Sequence, residues 1–109
     1  MDDNNINISD SGFTIKDNFT LENPDAIAIF KSEGKQDILK ILIEKEMNIH
    51  DLKNALKLNP GTVKRHIDQL LEFNLIVQTR EDENSWGVRM KYYRAVAKKF
   101  IIHFEWPDD

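Results

Sequence analysis

The chain has 109 residues, 40% of them hydrophobic and 31% charged, with a formal net charge of −4. That length fits one domain with a single core and room for an arm. The absence of cysteine excludes a disulfide scaffold, a thiolate zinc finger and a thiol nucleophile, and the longest clean aliphatic run, Ile41-Leu42-Ile43, is far too short to cross a membrane.

Residues 1–23 form a polar, acidic N-terminal arm rich in Asn, Asp, Ser and Thr. Isolated apolar residues recur in it, several spaced by two (Ile6, Ile8, Phe13, Ile15, Phe19, Leu21), which fits either an extended arm laid on the core or a disordered leader. It begins Met1-Asp2-Asp3-Asn4-Asn5, without the basic-then-apolar plan of a secretory signal, so the expected compartment is the cytoplasm. A single domain is expected over 24–106. Asn23-Pro24 reads as a helix cap followed by proline in the first turn. A short apolar turn, Ala26 to Phe30, follows, and Gly34 is expected to interrupt it. The next helix is expected over about 35–46, with Ile38, Ile41 and Leu42 on one face.

Met47-Asn48-Ile49 reads as an extended link, and a second helix should run from His50 or Asp51 to Leu56, burying Leu52, Ala55 and Leu56. Asn59-Pro60 repeats the cap-plus-proline signal and opens a helix over about 60–73. Val63, Ile67, Leu70 and Leu71 make its apolar stripe. Asn74 stands where a left-handed residue ends a helix. Residues 75–80 then read as a strand, Glu81 to Gly87 as a polar acidic loop, and Val88 to Ala95 as a returning strand. In that strand Val88, Met90 and Tyr92 alternate with Arg89, Lys91 and Tyr93. Ala97 to Phe104 is expected to be a last helix.

Charge is unevenly placed. Residues 1–30 hold one lysine against six carboxylates, residues 31–99 hold 14 Lys/Arg against 10 Asp/Glu, and the last ten residues hold three carboxylates and no Lys or Arg. The segment 84–99 carries Arg89, Lys91, Arg94, Lys98 and Lys99 and no carboxylate. A basic middle between acidic ends can present a local cationic surface despite the total.

Helix, link, helix, tight turn, helix and hairpin is the order of a winged helix-turn-helix, mostly α with a small β-hairpin wing. Residues 35–79 resemble winged-helix repressors of the arsenic-repressor (ArsR-like) type, especially their archaeal relatives. The resemblance rests on Asp37-Ile38-Leu39 with Leu42, on Ile49-His50-Asp51-Leu52-Lys53-Asn54-Ala55-Leu56, and above all on the run from Leu58 to Leu70. That run is similar to the family's pattern of leucine, cap residue, small or polar pair, Thr-Val, polar residue, Arg-His and aliphatic. Phe73-Asn74-Leu75-Ile76 stands where the family has Gly-Leu-Ile or Gly-Leu-Val. Lys91-Tyr92-Tyr93-Arg94-Ala95 resembles the wing's returning strand, and Ala97-Lys98-Lys99-Phe100 the helix after it. The likeness covers about three quarters of the chain, roughly 24–104.

The resemblance implies a DNA-binding transcriptional regulator without enzymatic activity, with double-stranded DNA as partner. A recognition helix must bury one face and offer the other, N-terminus first, to the major groove. At about 100° per residue, Gly61, Thr62, Arg65, Asp68 and Gln69 lie away from the Val63/Ile67/Leu70 stripe, and Lys64 flanks it. Arg65 and Gln69 have the chemistry to pair with guanine and adenine. Gly61 permits close approach, Asn59 caps the helix, and Lys53 and Lys57 suit phosphate contacts. Asp68 and Glu72 on the same side oppose phosphate.

In the wing, Arg80, Arg89 and Lys91 are placed to straddle the backbone, while Glu81-Asp82-Glu83 would have to bend away. Trp86 reads as a packing residue against the hairpin rather than a wedge between bases.

The resemblance also implies a homodimer formed by the C-terminal helix and the N-terminal apolar turn. Here that interface would use Ile27, Ile29, Phe30, Phe100, Ile101, Phe104 and Trp106. The chain departs from the family's metal sensors: it has no cysteine, and His50, His66 and His103 lie in separate elements. A cross-dimer site from His103 with Glu105 or Asp108 is weak, so no metal and no other cofactor are expected. Four unclustered glycines make no phosphate loop, and no serine has a plausible histidine partner, so no catalytic residue is expected. Two other readings remain. The net charge and acidic wing suit a protein-interaction module or assembly subunit that does not bind DNA, and a sequence-indifferent nucleoid protein would bind all duplexes alike.

Overall fold

In a computed structural model, residues 12–107 are described; residues 1–11 of the expected arm, and Asp108 of the weak metal reading, lie outside them. The order is β1 (Lys16–Leu21), α1 (Pro24–Ile27), a 3-10 turn (Ala28–Lys31), α2 (Glu33–Glu44), α3 (Ile49–Leu56), α4 (Pro60–Glu72), β2 (Ile76–Glu83), β3 (Arg89–Ala95) and β4 (Ala97–Ile102). This is a winged helix-turn-helix. Its core joins Ile38, Leu39 and Leu42 of α2, Leu52 of α3, and Val63, Ile67 and Leu70 of α4 to Leu75, Ile76, Tyr93 and Ala95.

Each helix starts on a side-chain cap. Asn23, Ser32, Asn48 and Asn59 accept from the backbone N–H groups of Asp25, Lys35, Asp51 and Gly61, respectively. Helix α2 therefore begins at Glu33, and Gly34 lies inside its first turn instead of interrupting the chain. A Cβ at Gly34 would stand 2.8 Å from Nε2 of His66, so the missing side chain lets α4 pack against the start of α2. Ala55, expected in the core, is exposed, because α3 turns only its Leu52 side fully inward. Asn74 has φ 61°, the left-handed exit its sequence position suggests.

The extended link between α2 and α3 bridges β3. Met47 and Tyr93 exchange both backbone hydrogen bonds, at 3.2 and 2.9 Å. Arg94 lies on the other side of the strand and donates to the carbonyls of Leu42 and Ile43, each at 2.9 Å. It thereby satisfies two of the open acceptors at the end of α2.

The hairpin corrects two expectations. Strand β2 runs on to Glu83, so the three carboxylates belong to its stem; Glu81, Asp82 and Glu83 pair with Lys91, Met90 and Arg89 across the ladder. An irregularity between Gln78 and Arg80 shifts the register, and the expected alternation of Val88, Met90 and Tyr92 against Arg89, Lys91 and Tyr93 does not carry through, since the buried residues of β3 are Tyr93 and Ala95.

The largest departure is at the ends. Ala97–Ile102 is a strand where a C-terminal dimerisation helix was expected. Val96, Phe100, Ile101 and Phe104 have helical spacing, but β3 passes into β4 through the single bent residue Val96. Val96 joins two sheets: its N–H reaches the carbonyl of Leu75 at 3.0 Å, and its carbonyl accepts from Lys16 at 2.9 Å. Strand β1 then supplies the parallel partner, with Phe19 opposite Phe100. The described part of the arm is thus extended and laid on the core. Ile29 is buried, and Phe100 packs on Phe19 and Phe30 with ring centres 6.2 Å apart in each case. Of the expected dimer residues, Ile29, Phe30 and Phe100 therefore serve the chain's own core and Ile27 is half-buried, while Ile101, Phe104 and Trp106 are exposed.

Candidate nucleic-acid interface

Helices α3 and α4 are joined by Lys57-Leu58-Asn59. Lys57 adopts φ 58° and ψ 40°, its N–H closing on Lys53, and Leu58 donates to the same carbonyl at 3.3 Å. The left-handed residue turns the chain sharply with no glycine, a role that a lysine at this position does not announce in the sequence. Asn59 then caps α4 through Gly61 N–H at 2.7 Å. A Cβ on Gly61 would meet the capping oxygen at 3.1 Å, so this glycine serves the cap as well as leaving the helix start open.

With Val63, Ile67 and Leu70 fully buried, α4 exposes Gly61, Lys64, Arg65, Asp68 and Glu72. Thr62 and Gln69 are half-buried on the border of that face, as are His66 and, on α3, Lys53; Lys57 is exposed. The outward face is rotated towards Lys64 and Asp68 relative to the helical wheel. Those two form an i,i+4 ion pair, Nζ lying 3.0 and 2.8 Å from the carboxylate oxygens. The hydrogen bond to Asp68 raises the lysine's pKa.

A groove of about 380 Å³ separates this face from the hairpin. Lys64, Asp68 and Leu71 of α4 line one wall, Val88, Arg89, Met90 and Lys91 line the other, and the start of α3 closes the end. The structure thus brings Lys64, Arg89 and Lys91 to one groove.

Arg80 is held elsewhere. Its Nε donates to Glu46 at 2.8 Å, its Nη1 to Asp82 at 3.1 Å, and its guanidinium lies 3.8 Å from the centre of the Tyr92 ring. Glu46 also accepts from buried Thr79 at 2.6 Å. Burial works against the Glu46 charge, but the hydrogen bonds from Thr79 and Arg80 and the charges of Arg80 and Arg94 outweigh it and lower the pKa. This network fastens the end of α2 to the hairpin. Its partners stand 33 and 34 residues apart, and no local pattern announces Glu46. Arg89 pairs with Glu81 at 2.6 Å on the exposed stem.

His66 sits under Gly34 with Nδ1 buried and unpartnered among the described residues. Burial, and then the charges of Lys35 and Arg65, push its pKa down. Among the described residues no group of three His, Asp or Glu side chains is placed to hold a metal, and no helix is long and apolar enough to cross a membrane.

Residues 32–77 match the family model described as bacterial regulatory protein, arsR family. The matched segment is similar to the helix-turn-helix of that family. That segment runs from the Ser32 cap through α2, α3 and α4 into β2, and leaves β1, β3, β4 and the hairpin tip outside the match. Two solved structures are similar in fold. Reduced HlyU from Vibrio cholerae N16961 superposes with a TM-score of 0.51 at 17% identity, covering 64% of this chain and 67% of that one. The transcriptional regulator HlyU from Vibrio vulnificus CMCP6 gives 0.52 at 18% identity, with the same two coverages. No curated protein matches the sequence.

Proposed function

We propose that this protein is a DNA-binding transcription regulator in which α4 enters the major groove N-terminus first. The observation that carries this reading is the outward face of α4. Gly61, Lys64 and Arg65 stand exposed, with Lys64 lining an open groove, on a helix whose opposite side is fully buried, within the arsR-type segment. Arg65 and Lys64 address base edges, Thr62 and Gln69 border that contact, and Lys53, Lys57 and the capped start of α4 meet phosphates. Lys91 and Arg89 face the same groove from the hairpin, whereas Arg80 acts through the scaffold. The regulator acts as a homodimer, because one recognition helix makes too few base contacts for useful specificity. Exposed Ile101, Phe104 and Trp106 supply apolar surface for that contact.

Fluorescence anisotropy of a labelled random duplex, titrated with salt, tests the reading. Binding that weakens steeply with salt supports it, and the slope counts phosphate contacts. The double variant K64A/R65A should bind more than tenfold less tightly with its fold intact. No binding at low salt overturns the reading. It would then favour a protein-interaction module, to which the carboxylates of Asp68 and Glu81 in the groove are suited.

A further inference from the structure

Strands β1 and β4 form a parallel ribbon of their own, and among the described residues no third strand flanks either of them. A two-stranded sheet is marginal by itself, and an unpaired edge is a template for another strand. The two edges are not equivalent. Strand β1 carries exposed Lys16, Asp17, Asn18 and Thr20, and Asp and Asn are poor strand formers. Strand β4 ends in Ile101 and Ile102, each 43% exposed, with Phe104 and Trp106 still more exposed just beyond it.

The backbone turns hydrogen-bonding groups toward that apolar edge. Lys16 stands opposite Ala97 and donates to Val96, so the ladder bonds of β1 go to the residues that flank its partner. Counting on by twos, Lys98, Phe100 and Ile102 address β1, and the N–H and C=O groups of Lys99 and Ile101 face the open side. Charge runs along the same segment. Lys98 and Lys99 stand at its start, while the last five residues hold Glu105, Asp108 and Asp109 and no Lys or Arg. A parallel neighbour of the same sequence would set lysine on lysine, whereas an antiparallel one brings the basic start of each strand to the acidic end of the other.

We propose that β4 pairs antiparallel with β4 of a second copy about a two-fold axis at Ile101, making one continuous sheet in the order β1–β4–β4–β1. Ile101 meets its own copy at the axis, and Phe100 lies opposite Ile102. Lys99 lies opposite His103, with Glu105 two residues further on and within reach of the long lysine side chain. The contact is self-complementary, as a two-fold interface must be, and it covers the apolar edge that a lone ribbon leaves in water. The proposal rests on the homodimer reading above and names its surface, a strand edge where the family resemblance implied a helix. None of the residues lining the α4 groove belongs to β4, so this pairing leaves the proposed DNA face open.

The test uses the full chain without DNA, so that its outcome is separate from duplex binding. Sedimentation equilibrium should show a concentration-dependent approach to twice the monomer mass. I101K sets like charges at the axis and should raise the dimer dissociation constant more than about tenfold, with the circular dichroism of the folded chain kept. K99E should weaken the dimer about fivefold, and K99E/E105K, which reverses the charge run, should recover most of that loss. The chain has no cysteine, so I101C carries a single thiol. Antiparallel partners at the axis stand about 5.5 Å apart, within disulfide reach. I101C should therefore cross-link to its own copy on mild oxidation, and T20C, at the same register on β1, should not. A dimer that persists in folded I101K, or that cross-links no better through I101C than through T20C, overturns the proposal and leaves a homodimer built on another surface. K99E/E105K as weak as K99E also overturns it, because the strands would not run antiparallel. A monomer at every concentration overturns this proposal and the homodimer reading together, and leaves the duplex-binding assay to decide the DNA reading by itself.

Discussion

Helix α4 and the β2–β3 hairpin bring cations to the same groove, but they hold them in different ways. On α4 the pair Lys64–Asp68 lies in solvent, its side chains 61% and 55% exposed. Such a pair holds little free energy and exchanges readily for another anion. On the hairpin Arg80 is only 26% exposed and is shared between Glu46, Asp82 and the face of Tyr92. Removing it from that setting would leave a partly buried carboxylate without its counter-charge. Two arginines that look alike in the sequence, Arg65 and Arg80, therefore do different work: one is available to a ligand, and the other holds the wing to the body.

The contrast is broken or upheld most directly by Arg80→Ala beside Arg65→Ala. Loss of the Arg80 hydrogen bond to Glu46 should lower the unfolding free energy by about 2 kcal/mol, read as a fall in the urea midpoint. Arg65→Ala should change stability by less than about 0.5 kcal/mol and act on duplex affinity instead. If the two variants were equally stable, the Glu46 network would not fasten the wing.

Gly34→Ala sharpens the comparison from the other side of α4. The added methyl meets Nε2 of His66 at 2.8 Å, and relieving the clash by a shift of packed helices should cost about 1–2 kcal/mol. The double variant G34A/H66A should recover part of that loss, since the shortened partner leaves room. A simple sum of the two single effects, measured by the same denaturation, would mean that the two positions do not share a contact.

The helical half of this fold was open to a reader of the sequence because its signals are local. The Asn23 and Asn59 caps, the Val63/Ile67/Leu70 stripe and left-handed Asn74 each depend on neighbours within one or two turns. Gly34 is ambiguous in the sequence because the same residue marks a helix break or a tight helix contact, and only the approach of His66, 32 positions later, separates the two. Strand β4 is ambiguous for a similar reason. Its apolar residues fit a helical stripe, and its true partner is β1, at the other end of the chain. Of the candidate site, the outward face of α4 followed from its buried stripe. The engagement of Arg80 did not, because Glu46 gives no local sign of its role. Trp86, expected to pack on the hairpin, is instead exposed. That depends on how the Asn84 side chain pins the turn through the N–H groups of Trp86 and Val88, not on hydrophobicity.

Acid should weaken the molecule through both elements, in different ranges. His66 has its pKa lowered in the folded chain, so the unfolded chain takes up the proton first. Its contribution is complete above the ordinary value of 6.5 and is lost as pH falls from there through the lowered folded value. Glu46 also has a lowered value, and the stability it contributes is complete above the ordinary 4.5. That contribution is lost as pH falls further, when protonation breaks its charge-assisted bonds to Arg80 and Thr79. Urea midpoints measured from neutral pH downwards should thus decline in two stages. H66N should flatten the first stage and E46Q the second; a first stage unchanged in H66N would place the earlier titration on another group.

The smallest expected effect concerns the exposed pair on α4 and gives the finest test of the contrast. Asp68→Asn removes a carboxylate from the proposed DNA face and releases Lys64 from its i,i+4 partner. Duplex binding should tighten about threefold at low salt, and the gain should fade as salt screens the lysine. The salt slope should steepen, because one more cation is free to displace counterions from phosphate. Thermal stability should barely move, since an exposed i,i+4 pair contributes little. Weaker binding in this variant would carry a different lesson. Asp68 would then be a base contact in its own right, accepting from an amino group such as cytosine N4. The ion pair with Lys64 would in that case aim the carboxylate instead of merely neutralising it, and the working face of α4 would be centred on Asp68 and Lys64 rather than on Arg65.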